Sequence, residues 1–296
     1  MYGRHIDGAQ IQKKDRYMTI PSNLHKLAAF TTNPDGGNPA GVWIGELLPD
    51  SVTMQRIAAE VGFSETAFVA PVIGSHRIVR YFSPEAEVSF CGHATIAAGV
   101  VLGEAGGDGT YLLDTAVGEV PVRVHSRSGL REASLTSVEP EYAHVSDALL
   151  DETLDTLSWK RDELDNAILP ALAYAGAWHL VLAVAQASRL AKLEYAFDTL
   201  KALMLREGFT TLQLVWRESV DMFHARNPFP VGGVVEDPAT GAAAAALGGY
   251  LRVVNQVTPP TTIHIRQGEA MGRPSLLRVH IPAQGGIVVS GTAVRI

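Results

Sequence analysis

Four side chains in this sequence are of types that could move protons or assist in holding an anion. Glu65 interrupts an otherwise apolar segment, and Cys91 and His93 directly precede residues 94–102, a run that is apolar on every side. Asp237 lies shortly before a second run, of small residues. Because a carboxylate in a low-dielectric pocket has a raised pKa, it can both take and return a proton near neutral pH. The residue types therefore point to acid–base chemistry on a small substrate.

Each of these residues also has a structural interpretation that the sequence pattern leaves open. Strand alternation could place Glu65 on the solvent face, and His93 could be a core histidine with satisfied hydrogen bonds. Asp237 could cap a helix or begin a turn ahead of Pro238. Cys91, taken alone, is more often a small buried residue than a nucleophile.

The two apolar runs are predicted to be buried helices that position these side chains. A helix that is apolar all round packs inside a protein. The first covers at least residues 94–102, and the second covers about residues 240–253. The free N–H groups and the positive end of the helix dipole make each helix start suited to an anion such as a carboxylate.

A weak internal repeat relates the two helical segments. A shift of 146 residues lays Arg226 on Arg80 and Asp237 on Cys91, with six identities in 24 positions where chance gives roughly two. The repeat predicts two similar halves, each with a core helix whose N-terminus faces a shared cleft.

The rest of the chain alternates strands with few helices, which is typical of an α+β or mixed α/β protein. One helix is predicted from Asp50 or Ser51 to Val61, and one or two at residues 188–207. The acidic region 137–170 is predicted to be a helical connection. Strands are predicted near residues 24–31, 41–44, 63–70, 77–82, 110–113, 119–125, 132–136, 178–184, 211–216 and 220–225, and from residue 262 onward.

Length, composition and missing motifs exclude several classes of function. The chain has 296 residues, 47% apolar, and a net charge of −7 without a Lys/Arg cluster, so nucleic-acid binding is not expected. No apolar run reaches transmembrane length and no export signal stands near the start, so a cytoplasmic protein without a membrane partner is predicted. The single cysteine excludes an internal disulfide. Nucleotide-binding, zinc-type and serine-hydrolase motifs are absent, so neither a cofactor nor a metal is expected.

Five short motifs occur along the chain in the same order as in a known protein family. They are residues 37–42 (GNPAGV), 64–69 (SETAFV), 90–95 (FCGHAT), 236–241 (EDPATG) and 267–275 (QGEAMGRPS). Together the motifs make the chain, over about residues 24–296, resemble the PhzF-like (phenazine-biosynthesis) isomerase family. The resemblance implies a diaminopimelate-epimerase-like fold of two pseudo-symmetric halves. Each half is a mixed curled sheet around a buried central helix, with the active site between the halves.

The resemblance also implies roles for particular residues in a cofactor-independent isomerase or epimerase of a small carboxylated metabolite. Glu65 would remove a proton from carbon and redeliver it elsewhere, His93 would orient substrate or assist the proton, and Asp237 would be the acidic partner. A homodimer would suit the family. The implied substrate-binding residues are Asn38, Gly92, Thr240, Gly241 and Ala242.

Departures from the family pattern keep other functions open. Ala242 stands where serine is usual, and Pro228 replaces an aromatic residue. These changes motivate the alternative of a catalytically silent metabolite-binding protein, while a lyase or cyclase would begin with the same proton abstraction. With Cys91 as its only cysteine, the chain cannot be a two-thiol racemase, although a mixed Cys/Asp arrangement remains possible on the sequence alone.

Four segments are predicted along the chain. Residues 1–18 form a loose extension, 19–130 the N-terminal half and 131–285 the C-terminal half. Residues 286–296 form a final strand, for which a return to the N-terminal half is considered.

Overall fold

The computed structural model describes residues 23–296, so the predicted loose extension at residues 1–18 lies outside the described residues. The first ten elements are β1 (Leu24–Ala29), β2 (Asn38–Ile44), α1 (Ser51–Val61), β3 (Glu65–Pro71), β4 (His76–Phe82), β5 (Glu87–Val88), α2 (Gly92–Gly106), β6 (Gly109–Thr115), β7 (Gly118–Arg127) and β8 (Leu130–Thr136). The following elements are β9 (Glu141–His144), α3 (Asp147–Leu157), β10 (Ala171–Tyr174), β11 (Trp178–Ala183), α4 (Ala187–Ala191), α5 (Phe197–Glu207), β12 (Thr211–Arg217), β13 (Met222–Pro228), β14 (Glu236–Asp237), α6 (Gly241–Val253), β15 (Thr261–Gln267), β16 (Ser275–Ile281) and β17 (Val288–Arg295).

Eight strands close into a ring around α2, which we call the first ring. Neighbouring pairs run in the order β1, β2, β3, β4, β6, β7 and β8. The last strand, β17, completes the ring because its first part pairs with β8 and its end pairs with β1. Residues 93–103 of α2 are all buried inside this ring. The prediction of a buried first helix is therefore confirmed.

A second series of strands curls around α6. It runs β9, β10, β11, β12, β13, β15, β16 and β17. Helix α6 packs against strands of this series, chiefly β10, β11 and β16. The predicted fold of two halves, each a mixed sheet around a buried helix, is confirmed. Strand β17 belongs to both series, and the predicted division of the chain into segments stays a prediction.

Helix α1 follows its sequence signals closely. The side chain of Asp50 accepts a hydrogen bond from the Thr53 N–H, and Gly62 ends the helix in the left-handed region at φ 72°. The apolar residues of the helix lie at helical spacing, and they form its buried face: Met54, Ile57, Ala58 and Val61.

The two halves share a structural feature that refines the predicted repeat. Arg80 on β4 pairs with Glu87 on β5, and Arg226 on β13 pairs with Glu236 on β14. The arginines are 146 positions apart, but the short strands and the helix starts that follow are 149 apart. The second half has three more residues between arginine and helix. The alignment of Asp237 with Cys91 is therefore wrong, because Asp237 occupies the place of Val88 in its short strand.

Two short strands lie in or next to the region that was predicted to be only a helical connection. Helix α3 is present there, but β9 and β10 pair with each other on either side of it. Each strand has four residues, and β9 is mostly exposed, so neither shows a long alternation of apolar and polar residues. Among residues 23–296, no helix combines the length and the apolarity needed to cross a bilayer.

Candidate active site

The two halves are bridged by a hydrogen bond between a strand of the first ring and the segment that leads to α6. Asn38, the first residue of β2, donates from Nδ2 to Asp237 Oδ1 at 2.8 Å and to the Ala239 carbonyl at 3.1 Å. Helices α2 and α6 also contact each other. Because Asp237 lies four residues before α6, this bridge brings the start of α6 next to the first ring.

Glu65, Cys91 and His93 form one cluster at the start of α2. The Glu65 carboxylate oxygen Oε2 lies 3.4 Å from His93 Nε2 and 3.5 Å from the Cys91 sulfur. The Cys91 sulfur lies 3.3 Å from His93 Nδ1. The Glu65 side chain is only 17% exposed, so it faces this cluster and not open solvent. The solvent-face interpretation of Glu65 is thereby rejected.

Cys91 is present in this cluster as a thiol. Its side chain is buried, and burial raises its pKa well above the usual value for cysteine. The negative charges of Glu65 and Asp237 raise the pKa further. A thiol in such surroundings donates a hydrogen bond to the Glu65 carboxylate and is a poor nucleophile.

Asp237 is held by donors on three sides. Its Oδ1 accepts from Asn38, and its Oδ2 accepts from the Thr240 hydroxyl at 2.5 Å. Its backbone carbonyl accepts from Gln267 Nε2 at 2.7 Å. These bonds fix the carboxyl group beside the helix start and leave little freedom for it to rotate.

The pKa of Asp237 is raised to about 6, chiefly because the carboxyl group has lost most of its hydration. The charge of Glu65 also raises this pKa, whereas a protonated His93 and the bonds from Thr240 and Asn38 lower it. The influence of Glu65 and His93 shows that Asp237 lies within electrostatic reach of the first cluster. One carboxyl group of the site therefore holds its proton to an unusually high pH.

The first backbone N–H groups of both helices have no acceptor within their own helix. The first helical bonds are donated by Thr95 in α2 and by Ala244 in α6, so the preceding amides have no acceptor within their helices. The Thr240 N–H donates to Gln267 Oε1 at 3.2 Å, and its predicted part in substrate binding stays a prediction. The amides of Gly92, Gly241 and Ala242 form no backbone hydrogen bond to another described residue. They remain suited to an anion.

Three further residues support the site without having been given a role from the sequence. Gln267, at the end of β15, bonds both Asp237 and Thr240, and the Ser64 hydroxyl lies 3.3 Å from His93 Nε2. Arg273 donates to the carbonyls of Gly37 at 2.8 Å and Gly36 at 2.5 Å. This contact anchors the turn before Asn38. All three lie in or beside the motifs, but their partners are distant in sequence and no spacing reveals them.

One triplet in the cleft could also hold a metal ion. The ligand atoms of Glu65, Cys91 and His93 all lie within 4.8 Å of one another. A metal there would have to displace the thiol proton, because thiolate and not thiol is the ligand.

Comparisons with known proteins agree with this architecture. The family profile described as "Phenazine biosynthesis-like protein" (PhzC-PhzF) matches residues 27–296. An uncharacterized isomerase of Deinococcus radiodurans is 33% identical over 281 residues, which cover 91% of this chain and 90% of that protein. The trans-2,3-dihydro-3-hydroxyanthranilate isomerase of Pseudomonas chlororaphis is 29% identical over 256 residues, covering 85% and 87% of the two chains.

A solved structure shows the same fold. The Bacillus anthracis phenazine biosynthesis protein of the PhzF family superposes with a TM-score of 0.83 at 22% identity, covering 92% of this chain and 96% of that one. The enzyme class predicted from the sequence agrees with the names of the relatives. On the match of the family profile to nearly all of its described residues, the chain belongs to the phenazine biosynthesis-like (PhzC-PhzF) family.

Proposed function

We propose that this protein is an isomerase that moves a proton on a small carboxylated metabolite by general acid–base catalysis with its own side chains. The observation that supports this most is the pairing of Glu65 and Asp237 across the cleft. The two carboxyl groups come from different halves, and the proton affinity of Asp237 is raised to a pKa of about 6. Two carboxyl groups in one site, one of them with a raised pKa, are a common arrangement for an acid and a base.

In this proposal Glu65 is the base. Its carboxylate removes a proton from a substrate carbon, the electron pair shifts along the conjugated system, and Glu65 returns the proton at another carbon. His93 Nε2, 3.4 Å from Glu65, holds the carboxylate in place and can share the proton. The Cys91 thiol supplies a second hydrogen bond to the same oxygen.

Asp237 is the acid of the proposal. Below a pH of about 6 it is protonated and can donate to the negative charge that develops on the substrate. Thr240 and Asn38 keep it in position. Asp237 donates a hydrogen bond and keeps its proton, while Glu65 returns to the substrate the proton that it removed, so no net proton is gained or lost in the cycle.

The helix starts would bind the carboxylate of the substrate. Amides of Gly92 in α2 and of Gly241 and Ala242 in α6 are the donors, and the dipoles of both helices favour the negative charge. Because residue 242 is alanine and not serine, only backbone amides would bind the substrate carboxylate at the start of α6. Such binding suits any small carboxylate that fits between the two helix starts.

The experiment uses the substrate named for the Pseudomonas chlororaphis relative, trans-2,3-dihydro-3-hydroxyanthranilate. The purified protein is incubated with it in D₂O, and NMR follows both the double-bond shift and deuterium incorporation. Glu65→Gln is expected to lower both rates by roughly 10²–10⁴-fold, the range of a general base. Glu46→Gln, the same change at an exposed position, is expected to leave them unchanged.

Two outcomes would overturn the proposal. Full exchange by Glu65→Gln would remove Glu65 from the mechanism. Binding of this compound and of related small carboxylates by the wild-type protein, without conversion or exchange of any of them, would favour the silent metabolite-binding protein.

A further inference from the structure

Outside the cleft, three potential metal ligands meet on the outer face of the first ring. They are His76 at the start of β4, Asp114 near the end of β6 and Glu119 near the start of β7. Alternation along each strand places all three side chains on the face opposite α2. Each residue comes from a different strand, so the group exists only when the three strands are assembled.

The distances between the ligand atoms suit a divalent cation. His76 Nδ1 lies 3.7 Å from Asp114 Oδ2 and 3.7 Å from Glu119 Oε2. The two carboxylate oxygens lie within 4.8 Å of each other. A point equidistant from three such atoms is at most about 2.4 Å from each, which small side-chain adjustments bring to the 2.0–2.2 Å of zinc with nitrogen and oxygen ligands.

The two carboxylates lie close together without a lysine or arginine partner among the described residues. Asp114 and Glu119 are directly opposite each other in the β6–β7 pairing, an arrangement that is destabilising for like charges. Within residues 23–296 no lysine or arginine forms an ion pair with either of them, and His76 is their shared neighbour. Arg77, next in sequence, instead donates to the carbonyls of Gly74 and His76.

The chemistry of the ligands indicates which cations would bind. One imidazole nitrogen and two carboxylate oxygens suit first-row divalent ions such as Zn²⁺, Co²⁺ and Mn²⁺ better than Mg²⁺, which prefers all-oxygen octahedral surroundings. The side chains are 36–49% exposed, so water can fill the remaining coordination positions.

We propose that His76, Asp114 and Glu119 form a divalent-cation site that stabilises the first ring where β4, β6 and β7 meet. The parallel pairing of β4 with β6 spans only three residue pairs, His76–Leu112 to Ile78–Asp114, and it is the pairing that closes the ring between β3 and β7. A cation at this point joins β4 to β6 and β7 directly. Binding to the folded protein raises its stability by mass action.

The test is isothermal titration of the metal-free full chain with ZnCl₂, with MnCl₂ and MgCl₂ for comparison, and thermal unfolding with and without ZnCl₂. Zn²⁺ is expected to bind at this site and to raise the unfolding temperature, and EDTA is expected to reverse the rise. His76→Ala and Glu119→Gln are each expected to weaken Zn²⁺ binding at least about tenfold. His144→Ala, which removes an exposed histidine of β9, is the matched control and is expected to bind as the wild type does.

The variants also distinguish this site from the Glu65–Cys91–His93 triplet. Cys91→Ala removes a ligand of the cleft and is expected to leave the high-affinity binding and the stabilisation intact. The proposal would be overturned by the absence of saturable Zn²⁺ binding, by binding that survives in His76→Ala and Glu119→Gln, or by binding that only Cys91→Ala abolishes. Titration at a temperature at which every variant is folded measures Zn²⁺ affinity even where a variant has a lower unfolding temperature.

Discussion

Asn38 Nδ2 lies 2.8 Å from Asp237 Oδ1, although the two residues are separated by 199 positions in the chain. Asn38 begins the second strand of the first ring, and Asp237 belongs to the short strand that precedes α6. Asn38 is 2% exposed, so water cannot replace it as a donor. This bond therefore links the two halves at the group proposed to be the acid.

Replacing Asn38 with alanine is expected to raise the pKa of Asp237 further. The bond from Asn38 favours the charged carboxylate, so its loss favours the protonated form. In a pH–rate profile the alkaline decline is expected to move to higher pH. Asn166→Ala, at an exposed position, is the control and is expected to leave the pH–rate profile unchanged. A pH–rate profile of Asn38→Ala identical to that of the wild type would contradict the role of Asn38.

The raised pKa of Asp237 also predicts how stability varies with pH. The folded state binds the proton more tightly than the unfolded chain, whose aspartate pKa is near 3.8. The contribution of Asp237 to the free energy of unfolding therefore falls as pH rises from about 4 through 6, and it is constant above about 7. The total loss is at most roughly 3 kcal/mol, from about 1.4 kcal/mol per pKa unit.

Urea unfolding of the wild type and of Asp237→Asn between pH 4 and pH 8 measures this contribution. The stability of the wild type minus that of the variant is expected to decrease over this range. Asparagine changes the hydrogen bonds with Asn38 and Thr240, which alters the size of the difference but not its slope with pH. A difference that is flat or that rises with pH would show that Asp237 does not hold its proton in the folded protein.

Cys91→Ala and Cys91→Ser are expected to retain most of the isomerase activity. The raised pKa of Cys91 keeps it a thiol at neutral pH, so it cannot serve as the second base of a mixed Cys/Asp arrangement. Slow reaction of the wild-type thiol with iodoacetamide at pH 7 is expected as well. A loss of activity as large as that of Glu65→Gln would instead assign proton transfer to the sulfur.

The two related ion pairs predict unequal effects of the same substitution. Glu236 has a side chain 4% exposed and receives two hydrogen bonds from Arg226, so Arg226→Met leaves a buried charge unpaired. A loss of about 3–5 kcal/mol in the free energy of unfolding is expected. Arg80→Met, in the corresponding pair with the more exposed Glu87, is expected to cost about 1 kcal/mol or less.

Adding Glu236→Gln to Arg226→Met removes the unpaired charge and is expected to recover part of the loss. Urea denaturation of the four proteins gives the comparison. Equal losses for Arg226→Met and Arg80→Met would show that burial does not distinguish the two pairs.

The sequence predicted those features that depend on local pattern. The buried helices follow from uninterrupted apolar residues, and α1 follows from the cap at Asp50, its spaced apolar face and Gly62. Glu65 and His93 lie in two of the five motifs, and the structure places their side chains 3.4 Å apart. The homodimer, the cytoplasmic location and the absence of nucleic-acid and membrane partners stay predictions.

Features that depend on distant contacts were not predictable in this way. The bonds of Gln267 to Asp237 and of Arg273 to Gly37 join segments 30 and 236 positions apart, and the residue types alone do not identify such partners. The misplaced alignment of Asp237 with Cys91 has a similar cause. A three-residue difference in the connection before α6 is invisible to a repeat search with a fixed shift.

The most direct measurement is a crystal structure of the protein soaked with 2-aminobenzoate, a flat carboxylate of the size of the proposed substrate. We expect the carboxylate to accept hydrogen bonds from the amides of Gly92, Gly241 or Ala242 at about 3 Å. We also expect a ring carbon to lie about 3–3.5 Å from the Glu65 carboxylate. A carboxylate bound elsewhere, or a Glu65 side chain turned away from the bound ring, would contradict it.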